Sequence, residues 1–453
     1  MNAKPFQIIQ FTNLNYNKMK KTFLIITLTM IGFMGFSQTG HLMQGIGAFN
    51  MSMGGASTGQ ALDINGALQW NSAAISKFDK TIITLDAGMM FSSPTLYSTV
   101  PTQTGSMSGS TESELGPSVL PSMAVVFGKK NSRHTFGVSV FGVSGFGVDF
   151  PQSGTNPINF PQNMHGFGHV ESSYMLLQIG VTYAFAITEK LSIGIEPTFN
   201  YSALEVHPNP LSSPSMTMGY PNSDNASATG FGGQVGLYYG SDKGLKAGIS
   251  YKTEQSFGEF AFNNTFLNGS DAPENKFTMN FPSIISVGAG YSTDLLDIAL
   301  DYRRVFYSST EGFETKGWAY GDNGHPTGAV AGFGWEDMNI ISAGVQIKLI
   351  EMLPIRLGYT YSSNPIDSEL AMHSVSATAI IENAVQLGVG FNLSERIVLN
   401  ATYHHGMSSG KTSGKILNPM MISADNPYGA IPGSEVAYDM TTDMILIGAS
   451  FSF

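Results

Sequence analysis

The chain has 453 residues, 12% charged and 11% aromatic, with 52 Gly and no Cys. The charged fraction is about half the roughly 25% usual for soluble globular proteins, while a mean hydropathy of +0.03 is far below that of a helical membrane protein. The lack of Cys excludes a disulfide framework and thiolate metal sites. Low charge with abundant Gly, Tyr and Phe suits an all-β transmembrane barrel, in which lipid-facing and lumen-facing residues alternate and cancel in the average.

Residues 1–37 read as a targeting segment. Lys18, Lys20 and Lys21 precede the apolar run 23–36, and the small Gly35 and Ser37 stand just before Gln38, the order of a signal peptide. The run is too short for a spanning helix. Residues 1–18 form an upstream extension, with Met19 as an alternative start. Removing the segment takes away four Lys and no acid, leaving 18 basic against 33 acidic residues, a net −15. That balance argues against nucleic acid as a partner.

Residues 38–80 do not alternate and are rich in Gly, Ala, Met and Asn. The segment is too short for a core of its own, and it would fit inside a barrel as a plug. From 81 to 453 period-two patterning takes over, and about fourteen strands can be read. Leu177, Ile179, Val181, Tyr183 and Phe185 share one face, Gln178, Gly180, Thr182 and Ala184 the other. Ile341, Ala343, Val345, Ile347 and Leu349 oppose Ser342, Gly344, Gln346 and Lys348 in the same way, and Leu245, Ala247, Ile249 and Tyr251 oppose Lys246, Gly248, Ser250 and Lys252. The middle strands are expected over 244–260, 278–291 and 296–308, and the last over 440–453. Links alternate, short near 187–190 or 393–395 and long near 149–169, 309–336 or 407–439. Short turns at one rim and long loops at the other are what a transmembrane barrel requires. Tyr251, Tyr291, Tyr359, Tyr361, Phe391 and Tyr403 are candidates for interfacial belts. The chain closes on alternating Ile445, Ile447, Ala449, Phe451 and Phe453, similar to the C-terminal signal of outer-membrane barrels.

The stretch from Gly54-Gly55-Ala56-Ser57-Thr58 through Asp63 to Asn71-Ser72-Ala73-Ala74 resembles the hatch signature of the FadL/TodX family of outer-membrane transport proteins. Asn71 and Ala73 match its Asn-Pro-Ala tripeptide, and Ser72 stands where Pro is usual. Residues 337–365, 279–302 and 187–201 have the family's rhythm of strand, short turn and strand. The resemblance implies a 14-stranded barrel in the outer membrane of a Gram-negative bacterium, with a luminal N-terminal hatch. It implies passive uptake of long-chain fatty acids or aromatic hydrocarbons, with hatch rearrangement and lateral release through a gap in the wall. Candidates for that gap are Gly142, Gly145 and Gly147, because Gly bends or bulges strands. Candidate ligand contacts are Met43, Ile46, Phe49, Met51 and Met53, since flexible thioethers suit ligands of varied shape.

The expected partners are hydrophobic small molecules, the bilayer and lipopolysaccharide, with loop acids such as Asp271, Glu274, Asp322, Asp425 and Glu435 available to divalent cations. A monomer without cofactor or metal is expected. Gly55-Ala56-Ser57-Thr58-Gly59 matches G-x-S-x-G literally but lacks the strand and helix a nucleophile elbow needs. His165 and His169 are separated by glycines, and His404-His405 reads as a solvated strand tip. The competing functions are a surface receptor or adhesin, including one for haem or a macromolecule, and an outer-membrane enzyme.

Overall fold

The computed structural model of the chain describes residues 41–378 and 380–453; the expected targeting segment lies outside them. Fourteen antiparallel strands make one continuous wall. They are β1 (Thr81–Thr102), β2 (Ser118–Phe127), β3 (His134–Phe150), β4 (Val170–Ala186), β5 (Leu191–His207), β6 (Ala226–Tyr239) and β7 (Gly244–Lys252). They continue as β8 (Ile284–Ser292), β9 (Leu296–Val305), β10 (Met338–Ile347), β11 (Ile355–Ser362), β12 (Asn383–Ser394), β13 (Ile397–Met407) and β14 (Glu435–Ser452). Consecutive strands pair, and β14 also pairs with β1 from Ile82↔Ser452 to Thr99↔Glu435. The sheet therefore closes on itself and has no terminal edge strand. Among the described residues no helix is long and apolar enough to cross a membrane; the strands do the crossing.

Side chains alternate between the two faces of this wall in the inverse sense to a water-soluble protein. Outward positions are apolar and uncovered, for example Val287, Leu300, Leu357, Leu387 and Ile447. All six of the aromatic residues expected at the interfaces, Tyr251, Tyr291, Tyr359, Tyr361, Phe391 and Tyr403, point outward and are exposed. Inward positions hold buried Asp86, Glu196, Lys252, Asp301, Arg303 and Arg356. Charges inside and hydrocarbon outside are stable only with lipid around the cylinder. Even-numbered strands lead into turns such as 187–190, 240–243, 293–295 and 395–396, whereas odd-numbered strands lead into long loops. The short turns mark the periplasmic rim.

Several boundaries differ from the sequence expectation. β7 stops at Lys252, β8 starts at Ile284 and β9 stops at Val305, each short of the alternating run. Of the residues expected to extend these strands, Ser256–Phe257 pair with Phe231 and Gly230 of β6, Phe260 opens a loop hairpin, Phe260–Thr265 against Asp271–Phe277, whose Phe260 and Phe262 are buried, and Tyr307–Ser309 form a 3-10 turn. An amphipathic loop strand carries the same period as a wall strand, so the pattern alone does not separate them. β14 begins five residues before 440 because its upper part pairs with β1 beyond the lipid-facing band.

The reading of His404-His405 as a solvated tip is incorrect for His404. β13 runs on to Met407, which places His404 on the luminal face, 1% exposed, with Nδ1 facing Gln386 Nε2 at 3.2 Å. His405 points the other way and its Nδ1 lies 2.8 Å from Asp443 Oδ1.

Candidate functional site

Residues 41–80 lie inside the barrel, touching strands from opposite sides of it. Two short helices organise them, α1 (Gly47–Ser52) and α2 (Ile64–Trp70), followed by a 3-10 turn, Ser72–Lys77. Asp63 caps α2, accepting from the amides of Asn65 and Gly66 at 3.1 and 3.2 Å. Asn71 begins the 3-10 turn, its Oδ1 accepting from Ala73 N at 3.1 Å. Its Nδ2 donates to Thr58 O within the segment and to Leu237 O on the wall. Asn71 is thus a clasp between plug and barrel, and Ser72 and Ala73 sit buried in the turn it caps.

Two wall carboxylates hold the segment in place. Asp86 accepts from Ala48 N at 2.9 Å and Asn65 Nδ2 at 2.7 Å. Asp301 accepts from the amides of Ser57 and Thr58 at 2.7 and 2.8 Å, and from Arg303 Nη2 at 2.7 Å. Arg303 also donates to Gly55 O at 2.7 Å and stacks 3.8 Å above the Trp70 ring. The G-x-S-x-G stretch is therefore a turn pinned by its amides, and Ser57 Oγ donates to Gln60 O at 3.4 Å. Where the plug backbone lies on the wall, the wall residue is glycine. A Cβ at Gly248 would collide with Thr58 O, and one at Gly358 with Gly54 N.

The five apolar candidates of the plug do not share one environment. Met43, Ile46 and Met51 belong to the large apolar core, while Met53 and Phe49 belong to a small separate cluster with Ala56, Leu62 and Ala299. Phe49 lies 3.6 Å under the Arg356 guanidinium. With Leu62, Pro354 and Asn392 it lines a cavity close to the turn that joins β10 to β11, on the periplasmic side.

The wall has one interrupted seam of immediate interest. The β2–β3 ladder runs from Phe127↔Phe136 only as far as Ser122↔Phe141. The β3–β4 ladder continues to Phe150↔Val170, with a register shift between Gly142 and Ser144 that leaves Val143 as an extra residue. Over 143–148 every residue of β3 is buried, so alternation is lost and the strand bends inward, as a bulge does. Of the three gap candidates, Gly142 sits at the bulge, where a Cβ would meet nothing within 4 Å. Gly145 and Gly147 follow in the bent stretch.

The slot beside this stretch is filled from the lumen by residues 41–43. Leu42 bridges Ser144 in antiparallel fashion. Met43 N donates to Val143 O at 3.0 Å, Gly145 N to His41 O at 3.0 Å, and Ser144 Oγ to His41 O at 2.8 Å. At the outer end Glu114 N donates to Asp149 O at 2.7 Å, which frames the slot.

Beside the latch, the His41 side chain enters an aromatic box. Phe313 stacks on the imidazole, with centroids 5.2 Å apart and planes at 13°. Phe146, Tyr174, Phe281, Tyr307 and Trp335 surround it at 5.4 to 6.3 Å. Tyr307 Oη lies 3.0 Å from His41 Nδ1, and Trp335 Nε1 donates to Ser374 Oγ at 2.9 Å. Burial without a carboxylate lowers the His41 pKa to about 3, so the ring is neutral at physiological pH. Towards the long loops, Phe167, Tyr220, Trp318, Val330 and Met372 line a second apolar pocket, with His373 held neutral by burial, its pKa lowered to about 4. Sequence reasoning passed over His41, Tyr307 and Trp335. It also passed over Asp86 and Asp301, because acids are ordinary on the polar luminal face of a barrel strand and these differ only in what they bond.

The sequence model of the outer membrane protein transport family, OMPP1/FadL/TodX, matches residues 41–453. The chain belongs to this family. It is thus an outer-membrane protein of a transport family, with the barrel described above. The Pseudomonas putida toluene transporter TodX superposes with a TM-score of 0.65 at 16% identity, covering 90% of this chain and 99% of that one. A Pseudomonas aeruginosa FadL homologue gives 0.66 at 14% identity, covering 91% and 99%. The Ralstonia pickettii toluene transporter TbuX gives 0.61 at 16%, covering 90% and 99%. At these identities the likeness is one of fold. No curated protein matches the chain.

Proposed function

We propose that this FadL/TodX-family barrel is a passive channel for hydrophobic small molecules, which leave sideways through the slot between β2 and β3. The observation that carries this reading is the ladder that stops at Ser122↔Phe141, with residues 41–43 of the plug seated in the opening. A solute would collect in the apolar loop pocket and descend along the core that begins at Phe146 and Tyr174. Displacement of the 41–43 latch would then expose a path to the bilayer. Lateral exit keeps the solute out of water, a gain of about 0.8 kcal/mol for each CH₂ that stays buried. Met43 and Ile46 adjoin this route, while Phe49 and Met53 lie on the periplasmic side of the plug. The reading assigns the chain no chemical step.

Long-chain fatty acids are one substrate class for such a route. Monoaromatic hydrocarbons are a second, favoured by the ring-lined chamber and by the toluene transporters among the similar structures. Deleting Val143 is expected to restore a regular β3 and let it zip further along β2. Uptake of radiolabelled oleate and toluene into cells carrying the barrel should then fall at least tenfold, with heat-modifiable gel mobility showing normal assembly. Undiminished uptake by the deletion variant would rule out the slot as the exit.

A further inference from the structure

The periplasmic rim of the wall is electrically uneven. Of its six short turns, five are balanced or acidic. Glu189 accompanies Lys190, Asp242 accompanies Lys243, Lys348 accompanies Glu351, Glu395 accompanies Arg396, and Asp294 is the only charge of its turn. Two of these lysines are also paired in space, Lys243 with Asp294 and Lys348 with Asp297. The turn that joins β2 to β3 is different. Residues 128–133 carry Lys129, Lys130 and Arg133 and no acid. Lys129 and Lys130 are exposed, and their side chains take no hydrogen bond or ion pair among the described residues.

Local geometry gathers these charges. Asn131, with φ at 63°, takes the left-handed place that Asn tolerates, and Ser132 N donates to Lys129 O at 3.0 Å to close the turn. Gly128 N donates to Lys80 O at 3.2 Å, and a Cβ at Gly128 would collide with Phe78 O. Glycine thus lets the turn lie against the foot of β1, which brings the exposed Lys80 into the same sector. Arg133 is fixed by bonds from Nε to Ala186 O and from Nη2 to Ile187 O, 4.6 Å from the Phe185 ring. Asp79 and the carboxylate of Phe453, whose amide donates to Thr81 O, offset part of this charge. The sector still keeps a positive balance, in a chain that is a net −15 beyond residue 37. Just above it on the lipid face, Phe127 pairs with Phe136, and each is about half exposed. Phe136 packs 5.1 Å from Tyr183, whose Oη lies 2.8 Å from His134 Nδ1. Rings of this kind mark the depth of the lipid headgroups.

We propose that the β2–β3 turn binds the headgroup of an anionic glycerophospholipid of the inner leaflet, whose acyl chains then lie across the mouth of the slot. Lys129, Lys130 and Lys80 meet the phosphate, each adding attraction to an anionic lipid. Phe127 and Phe136 flank the start of the chains. From Phe127 the β2–β3 ladder runs five residues to Ser122, where it stops. That is roughly 17 Å of strand, close to the half-thickness of the hydrocarbon core, about 15 Å. A lipid anchored at the turn therefore reaches the opening with its tails. Continuity of the charges with the aromatic belt and the lipid-facing wall selects a lipid over a dissolved anion. The inference rests on the lateral-exit reading for what the tails cover, although not for the binding itself.

The test is equilibrium binding of fluorescent phosphatidylglycerol and phosphatidylcholine, with matched chains, to the detergent-solubilised full-length protein. It is repeated with Lys129→Gln/Lys130→Gln and with the control Lys190→Gln/Lys243→Gln. The unmodified protein and the control should prefer phosphatidylglycerol, and the Lys129/Lys130 variant should lose that preference on the order of tenfold. Raising the salt should weaken the preference of the unmodified protein, since exposed charges are screened. Phosphatidylglycerol with a diazirine at the end of one chain should label the strands near Leu120, Ser122 and Phe141, and should cease to do so in the Lys129/Lys130 variant. Equal preference in that variant and the unmodified protein, both with normal heat-modifiable mobility, would overturn the inference. So would displacement of the lipid by glycerol phosphate at equal concentration, which would mark a site for a dissolved phosphate. If the lipid binds as expected while uptake persists in the Val143 deletion, the lipid site stands and the slot fails as the exit. If the deletion abolishes uptake while lipid binding ignores Lys129 and Lys130, the slot stands and the lipid site falls.

Discussion

A protein carrying Leu42→Cys and Ser144→Cys is expected to lose uptake under oxidising conditions and to regain it on reduction. The two residues face each other across an isolated antiparallel bridge. Such pairs place their Cα atoms about 4.5 to 5.5 Å apart, within the roughly 4.4 to 6.8 Å that a disulfide tolerates. The native chain has no Cys, so the engineered pair has no competing thiol. The cross-link fixes the latch to β3 without altering loops, box or lipid face. Uptake of radiolabelled hydrophobic substrate should fall at least tenfold when the bond is closed. Oxidised protein that transports as well as reduced protein would show that residues 41–43 need not move.

The second large effect is expected at the luminal carboxylates. Asp86 accepts one main-chain and one side-chain bond from the plug, and Asp301 accepts two main-chain bonds while pairing with Arg303. Hydrogen bonds to a charged group contribute roughly 1.5 to 3 kcal/mol each. Asp86→Ala should therefore weaken seating of the plug by about 3 to 6 kcal/mol. Asp301→Ala also strands Arg303, fully buried, without its counter-charge, at a further cost of about 3 to 5 kcal/mol. Neither carboxylate faces lipid, and the wall ladders do not depend on them, so the barrel should still assemble. Planar-bilayer recordings should show ionic conductance several-fold above that of the unmodified protein, as the plug spends time undocked. Conductance equal to the unmodified protein for both variants would mean that other contacts hold the plug.

The contrast between these residues and the wall shows what was legible in the sequence. Ser342, Gly344 and Gln346 alternate with Ile341, Ala343 and Val345 because one face meets lipid and the other the lumen, and that environment repeats around the whole cylinder. The sorting of turns and loops follows from the same geometry. Gly142, Gly145 and Gly147 stand out as a cluster in one strand, and the structure puts all three at or beyond the bulge. What fills the slot could not be read in this way. His41 meets Phe146, Tyr174, Phe281, Tyr307, Phe313 and Trp335, which are spread over two strands and two loops and share no period. A lone His ahead of the first strand reads as a polar surface residue until the fold gathers rings around it. Asp86 and Asp301 occupy ordinary luminal positions in their strands. Only their bonds to amides more than thirty residues away distinguish them from solvated acids.

The route itself is tested most directly by mapping where a travelling substrate goes. A hydrophobic substrate analogue bearing a diazirine, supplied at the loop side of the barrel in lipid and photolysed during uptake, should label residues at the slot. The expected sites are Leu42, Met43, Val143 and the neighbouring Leu120 and Phe141, with the inner leaflet turns unmarked. Labels concentrated instead at Phe49, Leu62, Pro354 and Asn392, beneath the plug, would mean that solutes pass straight down the lumen, and the account of lateral exit would be wrong.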